Sequence, residues 1–525
     1  MIHTRTSQSH PLYVSDLAVG PGRLGLTICP GKKGDSVFGA PWDRDLGMDL
    51  AAIRDWGATA VLTLVEPHEL RMLGVERLGE TVRALGMEWH HFPIPDLSAP
   101  KDLDSSGWWR LSTRLHGILD QGGRVLVHCR GGLGRAGTMA ALLLTERGDT
   151  AQEAIARIRA VRKGAIETAV QERFLASRAA LPDARTERIR ASLFGGAIGD
   201  ALGAAIEFWK LPQILRRFPN GVDEMLPYDG RLGAITDDTQ MTLFTAEGMI
   251  RAMVRGIGKG ICHPPSVIHH ALLRWYATQG ARPAREVCAV GLVKDPRLYR
   301  RRSPGMTCMA ALGASRAFGD VARNDSKGCG TIMRVAPVAL MGGDAEQIEA
   351  IAMESSALTH GHRTGQEAAA AWALILADVL RGARAEAAAL AVAGRFGPET
   401  DRTIRSALGA PRDGRPETVE TLGGGWVAEE ALAIALYAAL ASTSFEDGLR
   451  IAVTHGGDSD STGAIAGNLL GLLYPHEVMA HPWRREIECA DVIERLARDM
   501  GACLRNPAVC DDEAPGGIEE RYPGW

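Results

Sequence analysis

The seven residues Gly456-Gly457-Asp458-Ser459-Asp460-Ser461-Thr462 constrain this chain more than any other stretch. They join an apolar run ending at Val453 to a small-residue, helix-like run from Gly463 to Leu473. Two carboxylates and three hydroxyls fall within five residues of glycine-flanked chain. An isolated carboxylate is costly to bury and two close ones repel, so the pair needs a cation or a donor network. A second cluster, Thr236-Asp237-Asp238-Thr239, lies more than two hundred residues earlier. The chemistry calls for the two clusters to meet in space around divalent metal ions. Carboxylate and hydroxyl oxygens suit Mg²⁺, Mn²⁺ or Ca²⁺ rather than zinc. Neither EF-hand spacing nor a His-Glu-x-x-His motif is present. Two unrelated helix caps are the simpler alternative, since Asp and Thr are both good capping residues.

The chain has 525 residues, enough for two to four domains or one large domain with an appendage. It is 46% apolar and 23% charged, so it can build substantial cores. A formal net charge of -4 gives no support for a broad nucleic-acid footprint. The nine cysteines are scattered without a Cys-x-x-Cys pair, which argues against a disulfide scaffold. The start, Met1 to Leu12, lacks the apolar core of a signal peptide, and no apolar run has the length of a membrane span. The expectation is a cytoplasmic chain with no membrane partner.

The first segment alternates in type. Leu24 to Pro30, Thr59 to Val65, Met87 to Ile94 and Val125 to Val127 read as strands. Asp49 to Trp56, Thr138 to Leu144 and Ala151 to Arg162 read as helices. This predicts a compact α/β domain with a central, partly parallel sheet. Its chemistry lies in His128-Cys129-Arg130-Gly131-Gly132-Leu133-Gly134-Arg135-Ala136-Gly137. A cysteine at a strand end, wrapped by a glycine loop, can receive backbone N–H groups, and a helix start behind the loop lowers the thiol pKa. Those same N–H groups can hold a phosphate, and Arg135 can close back on it with two hydrogen bonds. The arrangement suits covalent phosphoryl transfer to a thiolate. A buried cysteine beside a tight turn is the bland alternative.

His128, Cys129 and Arg135 reproduce the His-Cys-five residues-Arg pattern, and over residues 20 to 178 the segment resembles the small cysteine-dependent dual-specificity and tyrosine phosphatases. The resemblance implies Cys129 as nucleophile, Arg135 as the transition-state clamp, and an aspartate on an upstream loop as general acid. Asp96, in the proline-stiffened stretch Phe92-Pro93-Ile94-Pro95-Asp96, fits that loop, with Asp102 and Asp104 as weaker alternatives. One departure stands out. The family usually has serine or threonine directly after the arginine, where the hydroxyl helps the thiolate leave. Here the residue is Ala136, with Thr138 as a partial substitute.

A joint is expected at residues 178 to 186, marked by Pro182, giving domains at 1–180 and 186–505 and an acidic tail at 506–525. Past the joint the period changes. Thr186 is placed to cap a helix whose apolar face holds Ile189, Leu193, Ala197 and Ala201. Further helices are expected at 240–254, 266–276, 307–318, 346–358, 364–380, 384–392, 428–441 and 445–452. With almost no period-2 pattern, this segment reads as all-α, and its alanine and glycine faces imply close helix crossings. Residues 409–420 read as an exposed loop. Asp200, among small apolar neighbours, reads as a structural hydrogen-bonding residue.

Five stretches in order carry a second resemblance: Gly199-Asp200-Ala201-Leu202-Gly203 with Glu207-Phe208; Thr236-Asp237-Asp238-Thr239-Gln240-Met241; Gly328-Cys329-Gly330-Thr331-Ile332-Met333-Arg334 with Ala336-Pro337; Thr359-His360; and Gly457-Asp458-Ser459-Asp460-Ser461-Thr462-Gly463. Over about 300 residues this half resembles the ADP-ribosylglycohydrolases, relatives of dinitrogenase reductase-activating glycohydrolase. The resemblance implies two Mg²⁺ or Mn²⁺ ions held by Thr236, Asp237, Asp238, Asp458, Asp460 and Ser461. It makes Glu207 the glutamate of a flap over the substrate, and Asp458 or Asp238 the carboxylate that steers the attacking water. Ser461 stands where the family commonly has threonine, and it keeps the ligand oxygen. Gly328 to Thr331 can offer N–H donors to a diphosphate. His360 reads as structural or ligand-contacting, Cys329 as a small packed residue, and Trp426, after the glycines of 423–425, as either a substrate contact or core.

Together the halves predict a metal-dependent hydrolase that removes ADP-ribose from a modified acceptor, fused to a cysteine phosphatase. The partners would be an ADP-ribosylated protein or a small ADP-ribose compound, and a phosphorylated protein or phosphate ester. The acceptor is left open among arginine, serine, nucleotide and nucleic acid. The alternative is a hydrolase whose phosphatase-like half only binds a phosphorylated ligand.

Overall fold

The computed structural model describes residues 4–35, 39–101, 103, 108–178, 183–511 and 517–524. Asp102 and Asp104, and residues 179–182 of the expected joint, lie outside the described residues. The chain divides into two compact units, Met1–Leu181 and Pro182–Trp525.

The first unit is built on a five-stranded sheet. Its strands are β1 (Ser15–Val19), β2 (Gly22–Thr27), β3 (Ala60–Thr63), β4 (Glu88–His91) and β5 (Arg124–His128), in the order β1-β2-β5-β3-β4. β5 is central and parallel to both neighbours, with Val127 opposite Leu26 on one side and Leu62 on the other. Both faces of the sheet are covered. Leu26, Leu62, Val125 and Val127 face one core with Met139 and Leu143, while Val61 and Leu126 face another with Leu50 and Ile53. The near-continuous apolar runs of the sequence follow from that double burial. β1, not expected from the sequence, is an antiparallel edge with half-exposed positions. Two helices matter for the site: α1 (Pro67–Met72) after β3, and α2 (Gly134–Glu146) after β5.

Among the described residues the second unit's regular structure is helical. Its centre is a crossing of α3 (Ala184–Gly203) and α6 (Ser459–Leu473). Along α3, Gly195 meets Gly467 and Gly471, Gly199 meets Gly463, and Gly203 meets Ser459 of α6 so closely that the two backbones touch. A Cβ on Gly199 would stand 2.0 Å from the Gly463 carbonyl oxygen, and one on Gly467 would stand 2.1 Å from that of Gly195. No side chain fits there, so the glycines let the acidic first turn of α6 lie against α3. α4 (Asp237–Lys259) packs beside this pair, and α5 (Pro264–Thr278) packs on α4.

Three details differ from the sequence reading. α3 starts at Ala184 because Asp183, not Thr186, caps it, accepting from Arg185 N and Thr186 N at 3.0 Å. The helix expected to reach Phe318 stops at Ala314, where Asp320 takes the Arg316 and Ala317 N–H groups into a turn. The expected loop at 409–420 ends in a short helix, Pro416–Glu420, and is tied down by Asp413, which accepts from the Tyr437 hydroxyl at 2.9 Å. The acidic tail is also packed where described: Tyr522 is buried and its hydroxyl donates to Asp499 at 2.7 Å. Among the described residues no helix is long and apolar enough to cross a membrane.

Candidate functional site

In the helical unit the two acidic clusters meet. Thr236 ends the chain segment before α4 and caps it, its hydroxyl accepting from Asp238 N at 3.3 Å. Asp237 and Asp238 therefore sit on the first turn of α4, and Asp460 on the first turn of α6, where helix dipoles favour negative charge. Asp200, one turn from the end of α3, is fully buried and accepts from Thr236 N at 3.0 Å, Thr239 N at 3.2 Å and the Thr239 hydroxyl at 2.5 Å. It fixes the start of α4, which is the structural role expected of it.

Asp237, Asp238, Asp458, Asp460, Ser461 and Glu207 line one cavity of about 540 Å³. Thr236 stands behind this wall. Glu207, expected only as a flap residue, offers an oxygen within 4.8 Å of oxygens of Asp458 and Asp460. Among the described residues no arginine, lysine or histidine forms an ion pair with any of these five carboxylates. Burial, then the charge of Asp460, pushes Glu207 up to about 8 and raises Asp238 and Asp458 well above the usual carboxylate range. Asp238 Oδ1 is buried with no hydrogen-bond partner. A hard divalent cation answers both the repulsion and the orphaned oxygen, so the residues present fit such an ion.

Apart from Arg301, the rest of the cavity is neutral or aromatic. Cys329 packs against the core as expected, and its thiol also donates to Asp458 Oδ2 at 3.0 Å and lies 3.5 Å from the Ser461 hydroxyl. His360 Nδ1 pairs with the Thr359 hydroxyl at 2.9 Å, and burial followed by Arg334 pushes the ring down to about 3, so it is neutral. Its Nε2 faces Gly328, where a Cβ would come within 3.2 Å. Trp426 is half-exposed, lines the cavity and stacks on Phe208 with centroids 5.8 Å apart, which removes the core reading. The glycine loop before Trp426 is pinned, since Asp458 N donates to Gly424 O at 2.8 Å and Cys329 N to Trp426 O at 3.1 Å. Arg301, unremarked in the sequence, also lines the cavity.

In the α/β unit the cysteine lies where β5 ends. Cys129 is 3% exposed and its sulfur accepts from Gly132 N at 3.2 Å. Gly132 has φ +66, and a Cβ there would stand 2.3 Å from the Thr27 carbonyl oxygen, so the loop requires glycine. Arg162 holds the loop from outside, donating to Gly132 O at 3.1 Å. His128 is buried and pushed down to about 3 by burial; its Nε2 pairs with the Thr63 hydroxyl at 2.8 Å.

Arg135 is 2% exposed and gripped by two hydrogen bonds to Glu69 of α1, at 2.6 and 3.0 Å. Its Nη1 also donates to Ile94 O at 2.9 Å, and its Nη2 reaches Asp96 Oδ1 at 2.9 Å. The structure thus brings Cys129, Arg135 and Asp96 to one loop cluster and adds Glu69, which the sequence did not single out. Its only local signal is the capping pair Glu66–Glu69, in which Glu66 N donates to Glu69. Ala136 is fully buried, and the Thr138 hydroxyl donates to Gly134 O at 2.8 Å, so its proton is already committed.

Comparison with known proteins follows the same division. The family model for ADP-ribosylglycohydrolase matches residues 181–508. A model described as the Swiss Army Knife protein, DSP-PTPase phosphatase domain, matches residues 45–175. Cyclin-dependent kinase inhibitor 3 of Rattus norvegicus is 34% identical over 155 residues, 29% of this chain and 69% of that protein. ADP-ribosylarginine hydrolase Tri1 of Pseudomonas putida (strain GB-1) is 27% identical over 343 residues, 64% of this chain and 84% of that protein. A solved structure titled ADP-ribosylglycohydrolase-related protein complex is 28% identical and covers 60% of this chain and 97% of its own, with a TM-score of 0.46. Because the first pattern spans most of the chain, this protein belongs to the ADP-ribosylglycohydrolase family and is a hydrolase that carries a DSP-type phosphatase domain ahead of its helical unit.

Proposed function

We propose that the helical unit removes ADP-ribose from a modified acceptor in a reaction that depends on Mg²⁺ or Mn²⁺, and that the N-terminal unit is a cysteine-dependent phosphatase. The observation that carries the first part is the convergence of Glu207, Asp458 and Asp460 to within 4.8 Å in a cavity of about 540 Å³. Asp237, Asp238, Asp458 and Asp460, with the Thr236 and Ser461 hydroxyls, are the residues that would hold two ions. Such ions supply Lewis-acid charge for activating water and for an oxocarbenium-like transition state. Asp238 and Asp458 are the carboxylates that would steer the attacking water, and Asp458 already accepts from Cys329. Arg301 brings positive charge for a diphosphate, and Phe208 with Trp426 offers aromatic surface at the mouth.

The acceptor tested first is arginine, because a similar protein bears the name ADP-ribosylarginine hydrolase. ADP-ribose release is measured from arginine-, serine- and nucleotide-linked substrates, with Mg²⁺ or Mn²⁺ and with chelator. Release from none of them with either metal rejects the proposal.

In the phosphatase unit, the Cys129 sulfur attacks phosphorus, the bond from phosphorus to the leaving oxygen breaks, and Asp96 supplies that oxygen with a proton. Water then cleaves the phosphorus–sulfur bond. Arg135 exchanges its contact with Asp96 for the phosphoryl oxygens, while Glu69 keeps the guanidinium plane in place. Cys129→Ser is expected to lower hydrolysis of an aryl phosphate by ~10³-fold or more. Glu69→Gln keeps the nucleophile and loosens Arg135, so kcat should fall by ~10- to 100-fold. An unchanged kcat in Glu69→Gln would remove the positioning role.

A second reading is favoured by the buried Ala136 and the committed Thr138 hydroxyl. With no hydroxyl to assist the thiolate, the pocket would hold a phosphorylated ligand without turnover. An aryl phosphate assay that shows binding of vanadate but no hydrolysis selects it.

A further inference from the structure

Three consecutive peptide groups of the Cys129 loop present their carbonyls to side-chain cations. Arg130 O accepts from Lys32 Nζ at 3.4 Å, and from Cys29 N at 3.5 Å. Gly131 O accepts from Arg162 Nη2 at 3.3 Å, and Gly132 O from Arg162 Nε at 3.1 Å. In a trans peptide the N–H points opposite to the C=O. The N–H groups of Gly131, Gly132 and Leu133 are therefore turned away from the two cations. The middle one reaches the nucleophile, since Gly132 N donates to the Cys129 sulfur at 3.2 Å. One peptide group thus links Arg162 to Cys129, with its carbonyl on the guanidinium and its N–H on the sulfur. The run ends at the next residue, where Gly134 N donates to Glu167 Oε2 at 2.7 Å.

Neither cation forms an ion pair with a carboxylate among the described residues. Arg162, which follows the helix Ala151–Val161, donates only to neutral acceptors: the two carbonyls and the Ser15 hydroxyl at 3.4 Å. Lys32, beyond β2, donates to the Arg130 carbonyl and lies over Trp42, 4.8 Å from the ring centroid. Both are half-buried, and burial lowers the pKa of each from its ordinary value. Arg135 differs, because Glu69 and Asp96 already answer its charge. Partly desolvated cations without a carboxylate favour an anion nearby. A carbonyl that accepts from a cation polarises its peptide group, and the N–H on the far side becomes a stronger donor.

We propose that Lys32 and Arg162 are positioning residues for phosphoryl binding: their charges act through the Arg130, Gly131 and Gly132 carbonyls on the N–H groups that receive the phosphoryl oxygens. This role rests on the Cys129 loop taking a phosphoryl group, which both readings of the unit share, and it holds with or without turnover. The test is isothermal titration of the full chain with sodium tungstate, an oxyanion that is not hydrolysed. The parent should bind tungstate, and Arg135→Met should abolish the binding that belongs to the loop. Lys32→Gln and Arg162→Gln keep a donor for the carbonyls but remove the charge, and each should weaken tungstate binding by ~10-fold. Lys32→Arg and Arg162→Lys keep the charge and should retain most of the affinity. A brace that acted by shape alone would not separate the neutral from the charged replacements. Circular dichroism and thermal melting check that all of these variants fold. Unchanged affinity in both glutamine variants, or equal weakening by the neutral and the charged replacements, overturns the proposal. A parent that binds no tungstate at the loop overturns the phosphate-pocket reading and this role with it, and that failure shows before any substitution at Lys32 or Arg162 is made.

Discussion

Removing divalent cations with a chelator, or replacing Asp458 by asparagine, is expected to lower ADP-ribose release by at least ~10³-fold. Asp458 is the residue at which several parts of the cavity meet: its backbone N–H is tied to Gly424 O, and its Oδ2 accepts from Cys329. Asparagine keeps the shape and removes one charge, so lost activity with intact folding isolates the electrostatic role. The chelated protein should also show an inverted pH dependence of stability. Burial and then Asp460 raise Glu207 to about 8 and Asp200 to about 7. Burial is likewise the leading cause for Asp237, Asp238 and Asp458, which rise well above the usual range. A carboxylate raised in the fold binds more protons folded than unfolded. Its stabilisation is full below the unfolded value and is lost as pH climbs through the folded one. Chelated protein should therefore melt lower at pH 8 than at pH 5.5, by ~5 °C or more, and Mn²⁺ should restore most of the loss at pH 8. Equal melting at both pH values, indifferent to Mn²⁺, would dismiss the cation reading.

Gly199→Leu is expected to abolish the folded helical unit. The new Cβ would lie 2.0 Å from the Gly463 carbonyl oxygen and 3.1 Å from Ala464 N, both on the backbone of α6. A flexible side chain could step aside; a helix backbone held along its length cannot. The same crossing is repeated at Gly195–Gly467 and Gly203–Ser459, so relief at one point strains the next. A penalty above ~4 kcal/mol follows, large against the stability of ordinary domains. Urea unfolding followed by far-ultraviolet circular dichroism measures it. Gly409→Ala is the control, because no atom lies within 4 Å of the added carbon and φ there is not positive; it should be neutral or mildly stabilising. If Gly199→Leu unfolded at the same urea concentration as the parent, α3 and α6 would have to be further apart than described.

The sequence made the frame of both units readable for definite reasons. Val61 and Leu126 are apolar on a sheet covered on both faces, so their strands stand out. The motif at 457–463 is legible because acidic residues among small ones have few other uses. Glu69 was not legible, because its partner Arg135 is sixty-six positions away and nothing local distinguishes it from other helix-start glutamates. Cys329 packs against the core as read, but its contact with Asp458 was not legible since it spans 129 positions. Thr186 was taken for the cap because Asp183 sits beside a proline at the joint, where sequence alone does not say which residue ends the turn.

Glu207 and Phe208 are neighbours in the chain, yet they serve opposite ends of one cavity. The first contributes a carboxylate to the acidic floor, and the second leans on Trp426 at the rim. Consecutive residues share a single peptide link, so a backbone displacement of one carries the other. With cations bound at the acidic cluster as proposed, a shift of this dipeptide away from Trp426 would leave them one anion fewer. Admission and ion retention would then be geared together by one bond of main chain.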